Sequence, residues 1–298
     1  MLKHIMQWSL PKSVSFRFLF LYLSLYCFLF WVPMEALWGL ADISYRSNGS
    51  GDTIYHYFQV LGIFLAAFTG TVIWSLGDHK QSNYRDFYLG LRVAVRLFLA
   101  VELIRYGAMK VIPSQFPYPS LHQLTEPFGN ASPMGLLWTF MGSSPAYTIF
   151  AGSVEMLGGI LLFFPRTALL GALVSLVAMT QVCVLNFCYD VPVKLFSTHL
   201  LGMAVFLTAH DARRLASLLV WNQNAPPASM ETILHRPAVL RAVSVVRLVF
   251  LIAVLGTSLY TARSSHRMWA ELVPKPDPGR FELLNRGFHW VSDAPYNR

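Results

Sequence analysis

Apolar residues in this chain come in long runs rather than at strand or surface-helix intervals, and the polar residues collect in short stretches between them. About 20 apolar residues are what a helix needs to cross the hydrocarbon of a bilayer. On that measure seven spans are predicted, over residues 16–38, 54–76, 88–112, 146–164, 167–186, 194–210 and 240–261. The short connections carry Gly, Pro, Asn or charge, as turns at a membrane surface do. The longest, 113–144, holds five prolines and cannot form a single helix. Its pieces around Leu121 and from Leu136 to Met141 read as short interfacial helices anchored by Trp138 and Phe140. The expected fold is therefore all-α, a polytopic transmembrane bundle.

Composition supports that reading. Of 298 residues 55% are hydrophobic and only 13% charged, about half the usual charged share. The net charge of +8 lies at the ends of apolar runs, which is where topology determinants sit, and so does not read as a nucleic-acid surface. With the N-terminus inside, the cytoplasmic side receives Lys3, Lys12, Arg17, Lys80, Arg85, Arg166, Arg213, Arg214, Arg236 and Arg241. The outer connections carry only Arg46, Lys110 and Lys194 near the membrane. An odd span count then puts the tail, with six further basic residues, outside. The apolar core after Arg17 lacks a following A-x-A-type site and reads as a retained first span rather than a signal peptide. Cys27, Cys183 and Cys188 form neither a CxxC pair nor an even disulfide framework, and no metal-ligand cluster is evident.

Candidate chemistry lies in the charges inside the spans. The third span, "FYLGLRVAVRLFLAVELIRYGAMKVI", holds Arg92, Arg96, Glu102, Arg105 and Lys110. An ionised group near the bilayer centre costs about 2.5–3.5 kcal/mol on insertion scales. Arg92 and Lys110 are expected to snorkel to opposite interfaces. Arg92, Arg96, Tyr106 and Lys110 share a helical face bordered by Glu102, so this helix belongs in the middle of the bundle with its polar side inward. In the fourth span Glu155 stands among Gly152, Gly158 and Gly159, small residues that let another helix approach closely. Its expected counter-cation is Arg96 or Arg105. The set is equally consistent with a structural ion-pair network and with a functional site.

The stretch "NFCYDVPVKLFSTH" from Asn186 to His199 places a cation where a helix begins. Asp190 reads as the N-cap and Pro192 as first-turn proline. Lys194 sits near the positive end of the helix dipole, disfavoured by about 0.3–1 kcal/mol. Either Asp190 compensates it locally, or Lys194 faces inward toward Glu155, Glu102 or an anionic or carbonyl-bearing ligand. His199 reads as a hydrogen-bonded core histidine or a ligand contact. Tyr106 and Tyr189 read as interfacial aromatics or pocket walls.

In order along the chain, "RYGAMKVIPSQFP", "FAGSVEMLGGILLFFPRTALLGAL" and "LNFCYDVPVKLFSTHLLGMAVFLTAHDARRL" carry three short motifs. They are G-x-x-K at Gly107 to Lys110, E-x-x-G-G at Glu155 to Gly159, and N-x-x-Y-D at Asn186, Tyr189 and Asp190 with Lys194 following. Over residues 87–218 the chain thereby resembles the DoxX/DoxD-like family of membrane proteins. The resemblance implies a four-helix core at 87–218, with two additional helices in 1–86, a cytoplasmic turn and last helix in 219–262, and an extracytoplasmic tail over 263–298. It also implies the bacterial cytoplasmic (inner) membrane and a quinone-linked redox context, the chain acting as an accessory subunit beside a redox partner. A quinone is the one cofactor expected, with no metal. Lys194, His199, Tyr189 and Arg105 are the candidate donors to its carbonyls, Lys110 and Asp190 are further ligand-binding candidates, and Glu155 or Glu102 is the proton relay. The alternatives are a small-solute or lipid binding or transport protein, and a scaffold docking a partner through 113–144 and the tail.

Overall fold

Among the described residues each long apolar run is helical, because a helix satisfies its own backbone groups where no water can. The computed structural model describes residues 9–29, 51–78, 84–225 and 236–272, and among them ten α-helices and no strand are found. They are α1 (Leu10–Leu29), α2 (Ile54–Gly77), α3 (Arg85–Val111), α4 (Leu121–Thr125), α5 (Pro133–Ser143), α6 (Pro145–Phe163), α7 (Ala168–Cys188), α8 (Lys194–Ala209), α9 (Ala212–Leu219) and α10 (Pro237–Leu272). Five of them, α1, α2, α6, α7 and α10, are long and apolar enough to cross a membrane. At 27 residues α3 is about 40 Å long, but it carries Arg85 and Asp86 in its first turn besides the five charges named above. The 16-residue α8 is apolar and about 24 Å long.

Boundaries follow local chemistry. Helix α1 starts six residues ahead of expectation, with Pro11 in the first turn where its missing N–H costs nothing. The predicted end of that span, 30–38, lies outside the described residues. Helix α10 runs eleven residues past its predicted end through "ARSSHRMWAEL", a stretch free of helix breakers. The rest of the predicted tail, 273–298, lies outside the described residues. In the 113–144 connection Ser120 and Gln123 form a capping box that starts α4. Ser132 and Ser144 cap α5 and α6, each with proline following. Trp138 of α5 packs edge-on against Phe116, centroids 5.0 Å apart, in a small core with Leu137, Met141 and Val191.

Helix α3 is the hub. It packs against α1, α6, α8 and α10, while α6, α7 and α8 follow one another around it. Side-chain contacts show that successive long helices alternate in direction. At one end of the bundle Arg17 of α1 meets Asp78 and Tyr84, which flank the gap between α2 and α3, and Tyr88 of α3 meets His210 after α8. At the other end Gly51, before α2, donates its N–H to the Pro192 carbonyl before α8. There too His266 of α10 meets the carbonyl of Pro113 after α3.

Candidate functional site

The closest helix approach in the hub lies between α3 and α6. A Cβ on Gly107 would sit 2.7 Å from the Gly152 carbonyl oxygen, and one on Gly152 would sit 2.7 Å from that of Gly107. Lys110 and Glu155 each follow their glycine by three residues and so share its face. Helical side chains lean toward the N-terminus of their own helix. In an antiparallel pair the two therefore lean toward each other. Lys110 Nζ donates to Glu155 Oε1, with the side chains only 8% and 6% exposed. This corrects two expectations. Glu155 is met by neither Arg96 nor Arg105, and Lys110 does not snorkel to the surface, because its Cβ direction carries it back into the bundle.

Toward α1 and α8, the same helix presents Glu102, which is fully buried. Arg105 Nη2 stands 3.2 Å from Glu102 Oε2, yet neither Glu102 oxygen accepts a directed hydrogen bond. The Arg105 guanidinium lies 5.1 Å over the Tyr106 ring, and that ring packs 5.9 Å from Phe196 of α8. On the α1 side, Tyr26 is within electrostatic reach of Glu102 and packs edge-on to Phe98. Tyr26 stacks on His199, centroids 4.1 Å apart and planes within 6°. His199 Nδ1 lies 2.7 Å from the Leu195 carbonyl, so Nδ1 carries the proton and Nε2 accepts from Tyr22 Oη at 2.7 Å. His199 is thus a hydrogen-bonded core histidine at the edge of an aromatic wall around Glu102. The sequence reading missed Tyr22 and Tyr26. Their signal was two tyrosines four residues apart inside an otherwise apolar run.

The third group of candidates stays apart from both. Asp190 is in the left-handed region at φ 51 and does not cap α8, whose first residue is Lys194, so Pro192 precedes the helix rather than opening it. The cap comes from Asp52, 142 residues away in sequence. Its Oδ2 accepts from the Lys194 N–H at 2.8 Å and its Oδ1 from the Leu195 N–H at 2.9 Å. Two orphan donors of the first turn are thereby satisfied by a carboxylate at the positive end of the dipole. Lys194 Nζ turns back to Asp190 Oδ1 at 2.6 Å, and the Asp190 side chain is 80% exposed. That is the local pairing, not the inward-facing lysine. Tyr189 is exposed and borders neither buried cluster.

Two arginines also depart from expectation. Arg17, counted above only as a topology charge, is 1% exposed. It donates to Tyr84 Oη at 2.9 Å through Nε, to Ser75 Oγ at 2.8 Å through Nη1 and to the Asp78 carboxylate at 3.3 Å through Nη2. Arg96 makes no ion pair with Glu102 and instead lies within electrostatic reach of Arg247 of α10 and of Arg92. The polar residues of α3 thus do not form one inward face. They are dealt out to different neighbours because the helix is surrounded. Cys27, Cys183 and Cys188 are all free thiols.

No family model matches the chain, and no solved structure is similar to it. A curated relative, the uncharacterized protein YwoB of Bacillus subtilis strain 168, is 35% identical over 125 residues, covering 41% of this chain and 78% of the relative. On that identity and coverage, the chain belongs to the family of YwoB.

Proposed function

We propose that this protein is a multi-pass protein of the bacterial cytoplasmic membrane with a DoxX-like core, and that its working centre is the Glu102 cluster. In this reading α3 and α8 also cross, giving seven spans with the N-terminus inside and the C-terminus outside. The observation that carries the proposal is Glu102, a fully buried carboxylate whose two oxygens accept no directed hydrogen bond. A buried acceptor left in that state costs about 1–3 kcal/mol. A ligand that donates to it removes the cost.

The surroundings fit an isoprenoid quinone or quinol, the cofactor class the motif resemblance implies. Such a molecule needs an apolar slot, a planar wall and one or two polar contacts. Tyr26, Phe98, Tyr106 and Phe196 supply the aromatic surface. Glu102 would accept from a quinol hydroxyl, and Arg105 would donate to a quinone carbonyl. A quinone brings two-electron, two-proton carriage within the membrane. The chain would serve as the quinone-facing subunit beside a redox partner. Lys194, Asp190 and Tyr189 are left out of this site.

The test is ligand extraction. The protein is purified in native lipid discs, extracted with organic solvent and analysed by mass spectrometry, in parallel with Glu102→Leu. Near-stoichiometric quinone in the wild type, reduced at least tenfold in the variant, is the expected outcome. Equal quinone in both, or none in either, overturns the reading and leaves the cluster as helix-pairing architecture.

A further inference from the structure

A separate group of charges at the Arg17 end of the bundle is unbalanced. Arg92 and Arg96 are one turn apart on α3, where like charges repel. Arg247 of α10, which packs on α3, is close enough that its charge and that of Arg92 act on Arg96. Asp211, just before α9, lies 4.0 Å from Arg92 and is shared with Arg214 at 3.7 Å. Among the described residues, Arg92 and Arg214 therefore share one carboxylate, and no carboxylate pairs with Arg96 or Arg247. The hydrogen bonds are also incomplete. The Nε atoms of Arg92, Arg96 and Arg214 are all buried and have no acceptor. Each is a desolvated donor on a guanidinium, the planar group with which arginine recognises a phosphate.

Depth and neighbouring surface narrow the occupant. Arg96 lies eleven residues into α3 and Arg247 ten residues into α10, so both stand about 15 Å from helix starts at the same end. On α10 the adjoining surface is apolar and open, with Val246 67%, Val249 60% and Phe250 43% exposed. A phosphate held by the arginines from within the leaflet has acyl chains, and these exposed residues offer them a continuous track.

We propose that Arg92 and Arg96 of α3, Arg214 of α9 and Arg247 of α10 form a phosphate-binding site, occupied by the headgroup phosphate of an anionic phospholipid of the inner leaflet. The site is independent of the Glu102 cluster and of any quinone.

The experiment uses the full-length protein, delipidated in a neutral detergent. It is titrated with phosphatidylglycerol, with diacylglycerol of the same chains and with inorganic phosphate, read by native mass spectrometry and thermal unfolding. Phosphatidylglycerol is expected to bind and to raise the Tm, diacylglycerol to do neither, and inorganic phosphate not to compete at millimolar concentration. Arg96→Gln/Arg247→Gln should weaken phosphatidylglycerol binding at least tenfold. Without lipid the same variant should unfold at or above the wild-type temperature, because it loses repulsion and an orphan donor. Competition by inorganic phosphate would keep the phosphate chemistry and reassign its source to solution. Equal binding of diacylglycerol, or unchanged binding by the variant, overturns the site. If the variant fails to fold, the diacylglycerol comparison on the wild type still decides.

Discussion

At the scale of single residues, the Lys110–Glu155 pair separates the cost of burying charge from the cost of breaking a pair. Desolvating two ions consumes most of what their attraction returns, so the intact pair contributes little against well-packed apolar residues. Removing one partner strands the other, which costs about 3–5 kcal/mol. Lys110→Met and Glu155→Leu are therefore each expected to lower stability by about that amount, and the double variant to recover most of it. A thermal or denaturant double-mutant cycle in lipid discs measures this, and additive losses would show that the pair does not act as a unit. That Glu155 needs a cation was legible in the sequence, from its place mid-span. Which cation was not legible, because the answer depends on the antiparallel partner and on the direction in which Cβ atoms tilt. The same limit hid the link between His199 and Tyr22, whose hydrogen bond spans 177 residues of sequence.

At the scale of elements, glycine and capping chemistry decide how helices meet and begin. Gly152→Ala would place a methyl 2.7 Å from the Gly107 carbonyl oxygen and 2.9 Å from the Val111 nitrogen, backbone atoms that cannot yield. It should push α3 and α6 apart and lower the Tm. Gly202→Ala, with nothing within 4 Å of the new Cβ, should be neutral or stabilising by up to about 1 kcal/mol through helix propensity. Opposite signs for the two identical substitutions are the expected result of a thermal-shift comparison, and equal effects would refute the close approach. For α8, Asp52→Ala should cost about 0.5–2 kcal/mol as a lost cap. Hydrogen exchange should then speed up at the Lys194 and Leu195 amides. Asp190→Asn, which removes the exposed ion pair and keeps a residue type that tolerates the φ of 51, should change stability by less than about 1 kcal/mol. The existence of these helices was readable from run length, a local property. The capping residue was not, since the sequence offered Asp190 nearby while the fold brought Asp52 across a connection that pattern alone cannot close.

At the scale of the whole molecule, the alternating helix directions and the distribution of cations bear on the proposed topology. Lys12, Arg17, Arg85, Arg166, Arg213, Arg214, Arg236 and Arg241 fall at the end where Arg17 meets Asp78 and Tyr84. At the opposite end, Lys194 is paired with Asp190 and lies beside the Asp52 carboxylate. The positive-inside rule favours the proposed orientation, with the Arg17 end in the cytoplasm. Helices α6, α7 and α8 separate Gly129 from Asn224, both of which are exposed. Three crossings place them on opposite faces, whereas two crossings, with α8 failing to span, place them on the same face. In a background with Cys27, Cys183 and Cys188 replaced by serine, Gly129→Cys should react with a membrane-impermeant maleimide on intact cells. Asn224→Cys should react only after lysis. Reaction of both on intact cells would remove α8 from the set of spanning helices, and the reverse pattern would invert the whole molecule. The invertible case matters for the arginine site as well. Arg92, Arg96, Arg214 and Arg247 lie at the same end as Arg17, so only the expected pattern leaves them facing the anionic leaflet, where each cation near the surface gains about 1 kcal/mol.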